Sequence, residues 1–282
     1  MQIIHIEDIN APELEIFTKL SEVQLLRYFE PDIGVFVSES ANVVLRALEA
    51  GYEPISLLIE SHRFEKEARP VLDMIEKILP KETQDSLKIY IADHETVKDL
   101  TGYALVRGLW AVLRRKPLEK LTDFCNNKRK LVVLYDTMNP TNVGAMIRSA
   151  AALGMDGVIL TGGSANPLSR RSARVSMGTV FQVPWTMASK EESASTALIE
   201  ILHSFGYETA AMALSDNSIS VSDERLKKAE KLAVILGTEG DGLPKEVISA
   251  CTYTVKIPMS HGVDSLNVAA AGAVAFWELS GK

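Results

Sequence analysis

Three stretches in the second half of the chain set polar side chains among glycines and small residues. The first, NPTNVGAMIRSAAALG from residue 139, carries Asn142 and Arg148 in an otherwise small, apolar helical pattern. Their spacing is about 9 Å of helix rise, nearly two turns. Asn142 can cap the helix through its side-chain oxygen, and an arginine in apolar surroundings calls for an anionic or hydrogen-bonding partner. The second, AVILGTEGDGLP over 233–244, is an apolar run followed by Gly237, Thr238, Glu239, Gly240, Asp241 and Gly242. Glycines behind a strand let the backbone approach something closely. No Lys-Ser/Thr follows, as a phosphate loop needs, and the glycine order reverses that of a dinucleotide fingerprint. Glu239 would repel a pyrophosphate, so the loop suits a ligand that carries positive charge. The third, IPMSHGVDSLNVAAAG over 257–272, has Ser265 opening a helix and Asn267 in its first turn. Ser265 can also be read as a helix cap. His261 has no acid spaced to orient it, which argues against a general-base role.

The elements that must position these loops form an alternating series from Leu131 onward. LVVLYD, GVILTG, YETAAMAL, KLAVILG and YTVKIP read as buried strands, with helices expected at 142–153, 190–204 and over SLNVAAAGAVAFWEL. Continuous apolar strands separated by helices predict a parallel sheet. The first half reads as a smaller α/β sandwich, with strands at 33–37, PISLLIES and 88–92, and the polar, basic stretch 116–130 reads as a hinge between the two.

In order and spacing, the three loops resemble the SpoU/TrmH-type, or SPOUT, RNA ribose methyltransferases. The resemblance covers 131–281 and rests on N-x-G-x-x-x-R at 142–148, G-x-E-G-x-G-L-P at 237–244, and I-P-M followed by S-L-N at 257–267. RRSARVSMG at 170–178 is similar to the family's R-x-S-x-G stretch and puts Arg174 at the matching place. The resemblance implies a parallel-sheet α/β domain over 131–282 whose C-terminal part threads a loop as a trefoil knot, a topology that pattern reading alone does not propose. It implies S-adenosyl-L-methionine as cofactor, held mainly by main chain at Gly237, Ile257 and Leu266, with Thr238, Met259 and Leu214 beside them. It implies a polar active-site set of Asn142, Arg148, Glu239, Ser265 and Asn267, a ribosomal or transfer RNA partner, and a homodimer through the knotted domain. The reaction implied is methyl transfer to a ribose 2′-hydroxyl. A guanidinium stays protonated, so Arg148 is expected to stabilise charge and position the substrate rather than accept a proton.

Residues 1–120 resemble the L30e-like RNA-binding domain that precedes the catalytic domain in many relatives, through RYFEPDIGVFVSESANVVLRALEAGYEPISLLIE and the closing TGYALVRGLWAVLRR. A linker is expected over 121–130. RNA contacts are expected at Arg114, Arg115, Arg170, Arg171 and Arg174, and near Asn42. An alternative is an RNA-binding or ribosome-assembly factor of the same fold without catalysis; intact Arg148, Glu239, Ser265 and Asn267 argue against it.

Composition sets the frame. The chain has 282 residues, 46% of them hydrophobic, ample for two cores. Its net charge of −7 lies entirely in residues 1–127, with 15 Lys/Arg against 22 Asp/Glu; the remainder is balanced. That acidity works against phosphate neutralisation by the first half. The start, MQIIHIEDIN, lacks the basic and apolar regions of a signal peptide, and no apolar run is long enough to span a bilayer. Cys125 and Cys251 show no metal-type spacing. A cytoplasmic protein without metal or membrane contact is expected.

Overall fold

The computed structural model describes residues 1–8, 10–30, 33–101 and 108–280, the side chains of 98–101 excepted. Positions 31–32 and 102–107 of the L30e-like match therefore lie outside the described residues. The chain divides into two compact units: Met1–Pro117 with Leu168–Phe181, and Leu118–Pro167 with Gln182–Lys282.

The first unit is built on a five-stranded sheet of β1 (Gln2–His5), β2 (Val35–Glu39), β3 (Pro54–Glu60), β4 (Lys88–Ala92) and β5 (Leu109–Arg114), in the order β1-β4-β3-β5-β2. β1, β4 and β3 run parallel, and β5 is antiparallel to both β3 and β2. The core packs Phe17 between Tyr90 and Trp110, with Leu25, Val35, Val37, Leu58 and Val112 around them. The helix Arg170–Val175 packs on β2. Phe181 closes the same unit, with its ring 5.8 Å from Phe36 and 5.1 Å from Tyr52.

The second unit has a seven-stranded sheet with every pairing parallel, as the continuous apolar runs require. Its strands are β6 (Lys130–Leu134), β7 (Gly157–Leu160), β8 (Trp185–Met187), β9 (Glu208–Met212), β10 (Ile219–Ser220), β11 (Leu232–Leu236) and β12 (Tyr253–Lys256), in the order β10-β12-β9-β11-β6-β7-β8. β11 is buried at all five positions, consistent with cover on both faces. The final helix Val268–Leu279 packs on Pro140–Leu153. Small residues at Ala269–Ala273 let the two approach, and Gly272 leaves room for the Phe276 ring.

Two boundaries differ from the sequence reading. The expected linker 121–130 is not a free hinge. Leu121–Phe124 is a short helix, and Leu121, Phe124 and Cys125 are buried in the second unit's core. Their i, i+3, i+4 spacing marks one apolar helical face amid charged neighbours. Residues 168–181, read as part of the second domain, belong with the first unit. The short strands β8 and β10, at the sheet's two edges, and β1 carry no run long enough to stand out.

Candidate active site

The C-terminal ends of β9, β11 and β12 surround a cleft of about 450 Å³. Its walls include Leu214, Gly237, Thr238, Ile257, Met259 and Leu266, together with Glu239, Ser265 and Asn267. Crevices at the carboxyl ends of parallel strands are the usual ligand sites of open α/β sheets. This cleft has the volume of a nucleoside-sized pocket.

The glycine loop after β11 answers what its backbone approaches. A Cβ on Gly237 would lie 2.4 Å from the carbonyl carbon and oxygen of Gly242 and 2.6 Å from the nitrogen of Leu243. The loop folds on itself, with Thr238 N donating to Gly242 O at 3.2 Å. Gly242 sits at φ +69°, in the left-handed region that side chains disfavour. Gly237 is thus demanded by the loop's own backbone, and that closed shape forms one wall of the cleft.

Asn142, in the first turn of the helix Pro140–Leu153, Glu239 in the glycine loop and Asn267 at the start of the final helix converge from three segments. Asn142 Nδ2 donates to Glu239 Oε1, and Asn267 Nδ2 donates to Asn142 Oδ1 at 3.4 Å. Asn142 is buried and does not cap its helix. Asn139 is the N-cap, accepting from Thr141 N at 2.9 Å, with Pro140 at the first helical position. The third loop likewise shifts by a few residues. Asn267 caps the final helix, accepting from Ala269 N at 3.0 Å, and Ser265 lies in the exposed loop before it. Ser265 therefore neither caps nor opens that helix. His261, exposed and at φ +60°, lies earlier in the same loop.

Arg148 is not drawn into this row. Six residues along the helix place it about 120° around the axis from Asn142. Its side chain is exposed and makes no hydrogen bond or ion pair among the described residues.

The expected RNA-binding arginines separate by environment. Arg114 is half-exposed over the Phe29 ring, 3.8 Å from Glu53. Arg171 is exposed. Arg115 is engaged internally: its Nε donates to Val35 O at 2.9 Å, and burial lowers its pKa against the raising influence of Glu22. Arg170 lies over Trp110 at 5.3 Å, and Arg174 pairs with Glu39 at 3.4 Å. Arg115, Arg170 and Arg174 thus have structural work inside the first unit. Asn42 is exposed in the first turn of the helix Ala41–Glu49.

Two sets of residues escaped the sequence reading. Asp264, and Asp241 of the glycine loop, to which the motifs give no role, line the cleft and add acidic character beside Glu239. Asp136, at φ +49°, holds the loop entering the Pro140–Leu153 helix. Its N–H donates to Thr161 Oγ1 at 2.7 Å, while its Oδ1 accepts from Thr161 Oγ1 at 2.6 Å and Gly163 N at 3.2 Å. The signal for Asp136 was its place directly behind a buried strand, where a side chain can tie two strand-end loops together.

Comparison with known proteins places this arrangement. Residues 129–277 match the model of the SpoU rRNA Methylase family. An uncharacterized tRNA/rRNA methyltransferase of Mycobacterium bovis is 30% identical over 277 residues, covering 96% of this chain and 89% of the relative. The 23S rRNA (guanosine(2553)-2′-O)-methyltransferase RlmP of Bacillus subtilis is 24% identical over 233 residues, 80% of this chain and 89% of that protein. In structure, an AdoMet-bound rRNA methyltransferase from Sinorhizobium meliloti superposes with a TM-score of 0.80 at 22% identity, covering 99% of this chain and 98% of that one. With the second and third motif stretches lining one cleft, the first tied to them through Asn142, and the family model spanning the whole parallel sheet, this chain belongs to the SpoU rRNA methylase family.

Proposed function

We propose that the protein transfers a methyl group from S-adenosyl-L-methionine to a ribose 2′-hydroxyl of ribosomal or transfer RNA. The observation that carries the reading is the convergence of Asn142, Glu239 and Asn267 at the edge of a cleft walled by the glycine loop. The cofactor fits the residues present. Gly237, Ile257 and Leu266 offer main chain, Leu214 and Met259 offer apolar surface, and Glu239, Asp241 and Asp264 put negative charge around a cationic ligand. S-adenosyl-L-methionine supplies an electrophilic methyl on a positively charged sulfur.

The chain's own residues then set geometry and charge. Asn142 ties the glycine loop to the start of the final helix, so the two walls hold a fixed separation. Glu239 accepts from Asn142, which orients its carboxylate at the cleft edge. Ser265, exposed on the lip, is placed to meet the ribose. Arg148 lies outside the row at the cleft edge; its match to the family motif, together with an exposed guanidinium that has no partner among the described residues, is what supports a role in charge stabilisation or phosphate contact. Arg114, Arg171 and the exposed end of the Ala41–Glu49 helix supply contacts to RNA outside the reacting nucleotide.

The same reading includes a trefoil knot and a homodimer. The strand order supports the first: β9 lies between β12 and β11, and the loop leaving β12 shares the cleft with the β11 loop before the chain ends against Pro140–Leu153. The second is supported by Val274 and Trp277, 40% and 64% exposed at i, i+3 on the final helix. Light scattering should report a dimer that Trp277→Glu weakens. No helix among the described residues is long and apolar enough to cross a membrane, in keeping with a cytoplasmic RNA enzyme.

The function is tested with methyl-labelled S-adenosyl-L-methionine and ribosomal and transfer RNA from cells lacking the protein. A 2′-O-methyl group blocks alkaline cleavage, so the label should appear in alkali-resistant dinucleotides. Label in mononucleotides would show base methylation instead. RNA binding without labelling would show a factor that keeps the fold and has lost catalysis.

A further inference from the structure

A buried carboxylate at the strand ends of the first unit has no part in that reading. Glu60, the last residue of β3, is 1% exposed. Two histidines converge on its Oε1: His62 Nδ1 lies 3.2 Å away, and His94 Nδ1 is in hydrogen-bond contact with it. His62 sits in the turn directly after β3, and His94 opens the helix His94–Thr101 just beyond β4. The two strands are parallel neighbours with Glu60 in register with Ala92, so all three side chains arrive at one carboxyl-end edge. The imidazoles meet at 5.7 Å between ring centroids.

An ionised carboxylate at this depth needs compensating charge. Part of it stands on the far side, where Arg63 Nε lies 3.4 Å from Oε2. Arg63 is held in turn by Glu67 Oε1 at 2.8 Å, and Glu67 Oε2 accepts from Gly108 N at 3.0 Å. Glu60 Oε2 itself makes no hydrogen bond among the described residues. The carboxyl is therefore oriented from behind, with Oε1 turned toward the two rings.

One carboxylate oxygen and two imidazole nitrogens lie within 4.8 Å of one another. Neighbouring ligands on a tetrahedral zinc are about 3.3 Å apart, from bond lengths of about 2.0 Å. The 3.2 Å between His62 Nδ1 and Glu60 Oε1 already has that spread, and His94 needs only to draw back. Two imidazoles with one carboxylate form a donor set suited to zinc, in the pattern that leaves a fourth position for water. The rings are 54% and 46% exposed, which gives an ion a path in, while Arg63 and Glu67 supply the outer contacts that fix a ligating carboxylate. We propose that Glu60 Oε1, His62 Nδ1 and His94 Nδ1 form a three-ligand zinc(II) site in the first unit.

The test uses the full-length protein, stripped with EDTA and titrated with zinc chloride in a calorimeter at pH 7.5. One zinc per chain should bind with a dissociation constant of about 1 µM or below. His62→Ala and His94→Ala should each weaken binding about tenfold or more, and the double variant should abolish it. His203→Ala, whose ring contacts Thr209 and Thr252 in the second unit, should leave it unchanged. Cobalt(II) in place of zinc should show the visible absorption of a four-coordinate ion, lost in the double variant. Should the alanine variants fold poorly, His62→Gln and His94→Gln keep a hydrogen-bond donor facing Glu60 and should bind zinc equally weakly. Binding no tighter than about 100 µM, or stoichiometric binding that survives in the double variant, would overturn the site and leave the trio as an ion-paired cluster. The methyltransferase reading stands or falls separately, because none of these residues lines its cleft.

Discussion

The two sheets present their carboxyl ends in opposite ways. In the first unit two histidines, just beyond the ends of two neighbouring strands, crowd one oxygen of the buried Glu60. In the second, loop backbone and mixed side chains at the ends of β9, β11 and β12 line an open cleft, and the row of Glu239, Asn142 and Asn267 lies at its edge. A cleft made of backbone depends on glycine order within a few consecutive residues. A cluster made of side chains depends on residues that are far apart in the chain and meet only after the sheet forms.

That contrast can be broken most strongly at Gly237. Valine there would place a Cβ 2.4 Å from Gly242 backbone, so the loop must open. Affinity for S-adenosyl-L-homocysteine should fall about 100-fold or more, roughly 2.7 kcal/mol; near-normal affinity in calorimetry would show that the loop's closed form is not what shapes the cleft. Next comes Arg148→Ala. Because Arg148 is exposed and unpaired, melting temperature and donor affinity should hold while turnover falls about 100-fold. A variant that fails to fold would make Arg148 structural.

Asn142→Ala removes both ties between the loops at once. Turnover should fall about tenfold, and stability by about 1–3 kcal/mol, the cost of stranding buried polar groups. Asn267→Ala also removes the cap of the final helix; a double variant that loses less than the sum of the two single losses would confirm one shared row. Gly242→Ala is milder: a left-handed alanine costs about 1–2 kcal/mol, seen as a melting point a few degrees lower. The smallest effect distinguishes the units by pH. Burial pushes the thiols of Cys125 and Cys251, both in the second unit, up to about 11. Folding favours their neutral forms, so this contribution to stability is intact below about pH 9 and fades as pH rises toward 11. Alkaline loosening should begin in the second unit, and at pH 8 both thiols should alkylate far more slowly than a free cysteine.

The legible parts of the molecule were the local ones. The buried runs of β6, β7, β9, β11 and β12 announced a parallel sheet because each is continuous and apolar. The glycine loop announced a close approach, and within the chain that approach is to its own backbone at Gly242 and Leu243. Asn142, Glu239 and Asn267 were grouped by the motif resemblance, yet the bonds that join them, Asn142 to Glu239 and Asn267 to Asn142, cross 97 and 125 residues and cannot be read from local spacing. Arg115, Arg170 and Arg174 each make a contact within the first unit that no run of basic residues announces. A basic cluster reads as a solvent-facing strip until the contacts of Val35, Trp110 and Glu39 are known. His62 and His94 drew no notice because Glu60 and His62, two residues apart, are only a pair, and the third member arrives from a segment more than 30 residues away.

The placement of 168–181 has a practical consequence for dissecting the protein. The backbone crosses from one unit to the other at 117/118, again at 167/168, and back at 181/182. A protease nick after Pro117 would therefore not set the halves free. The released 1–117 piece would remain clasped to the remainder through Phe181 on Phe36 and Tyr52, and through Arg174 on Glu39. Conversely, a fragment beginning near Lys128 would carry that clasp with nothing to hold, exposing Phe181 to solvent. The two halves cannot be exchanged as beads on a string; any chimera must splice at three junctions, and a simple truncation is an amputation inside the first unit.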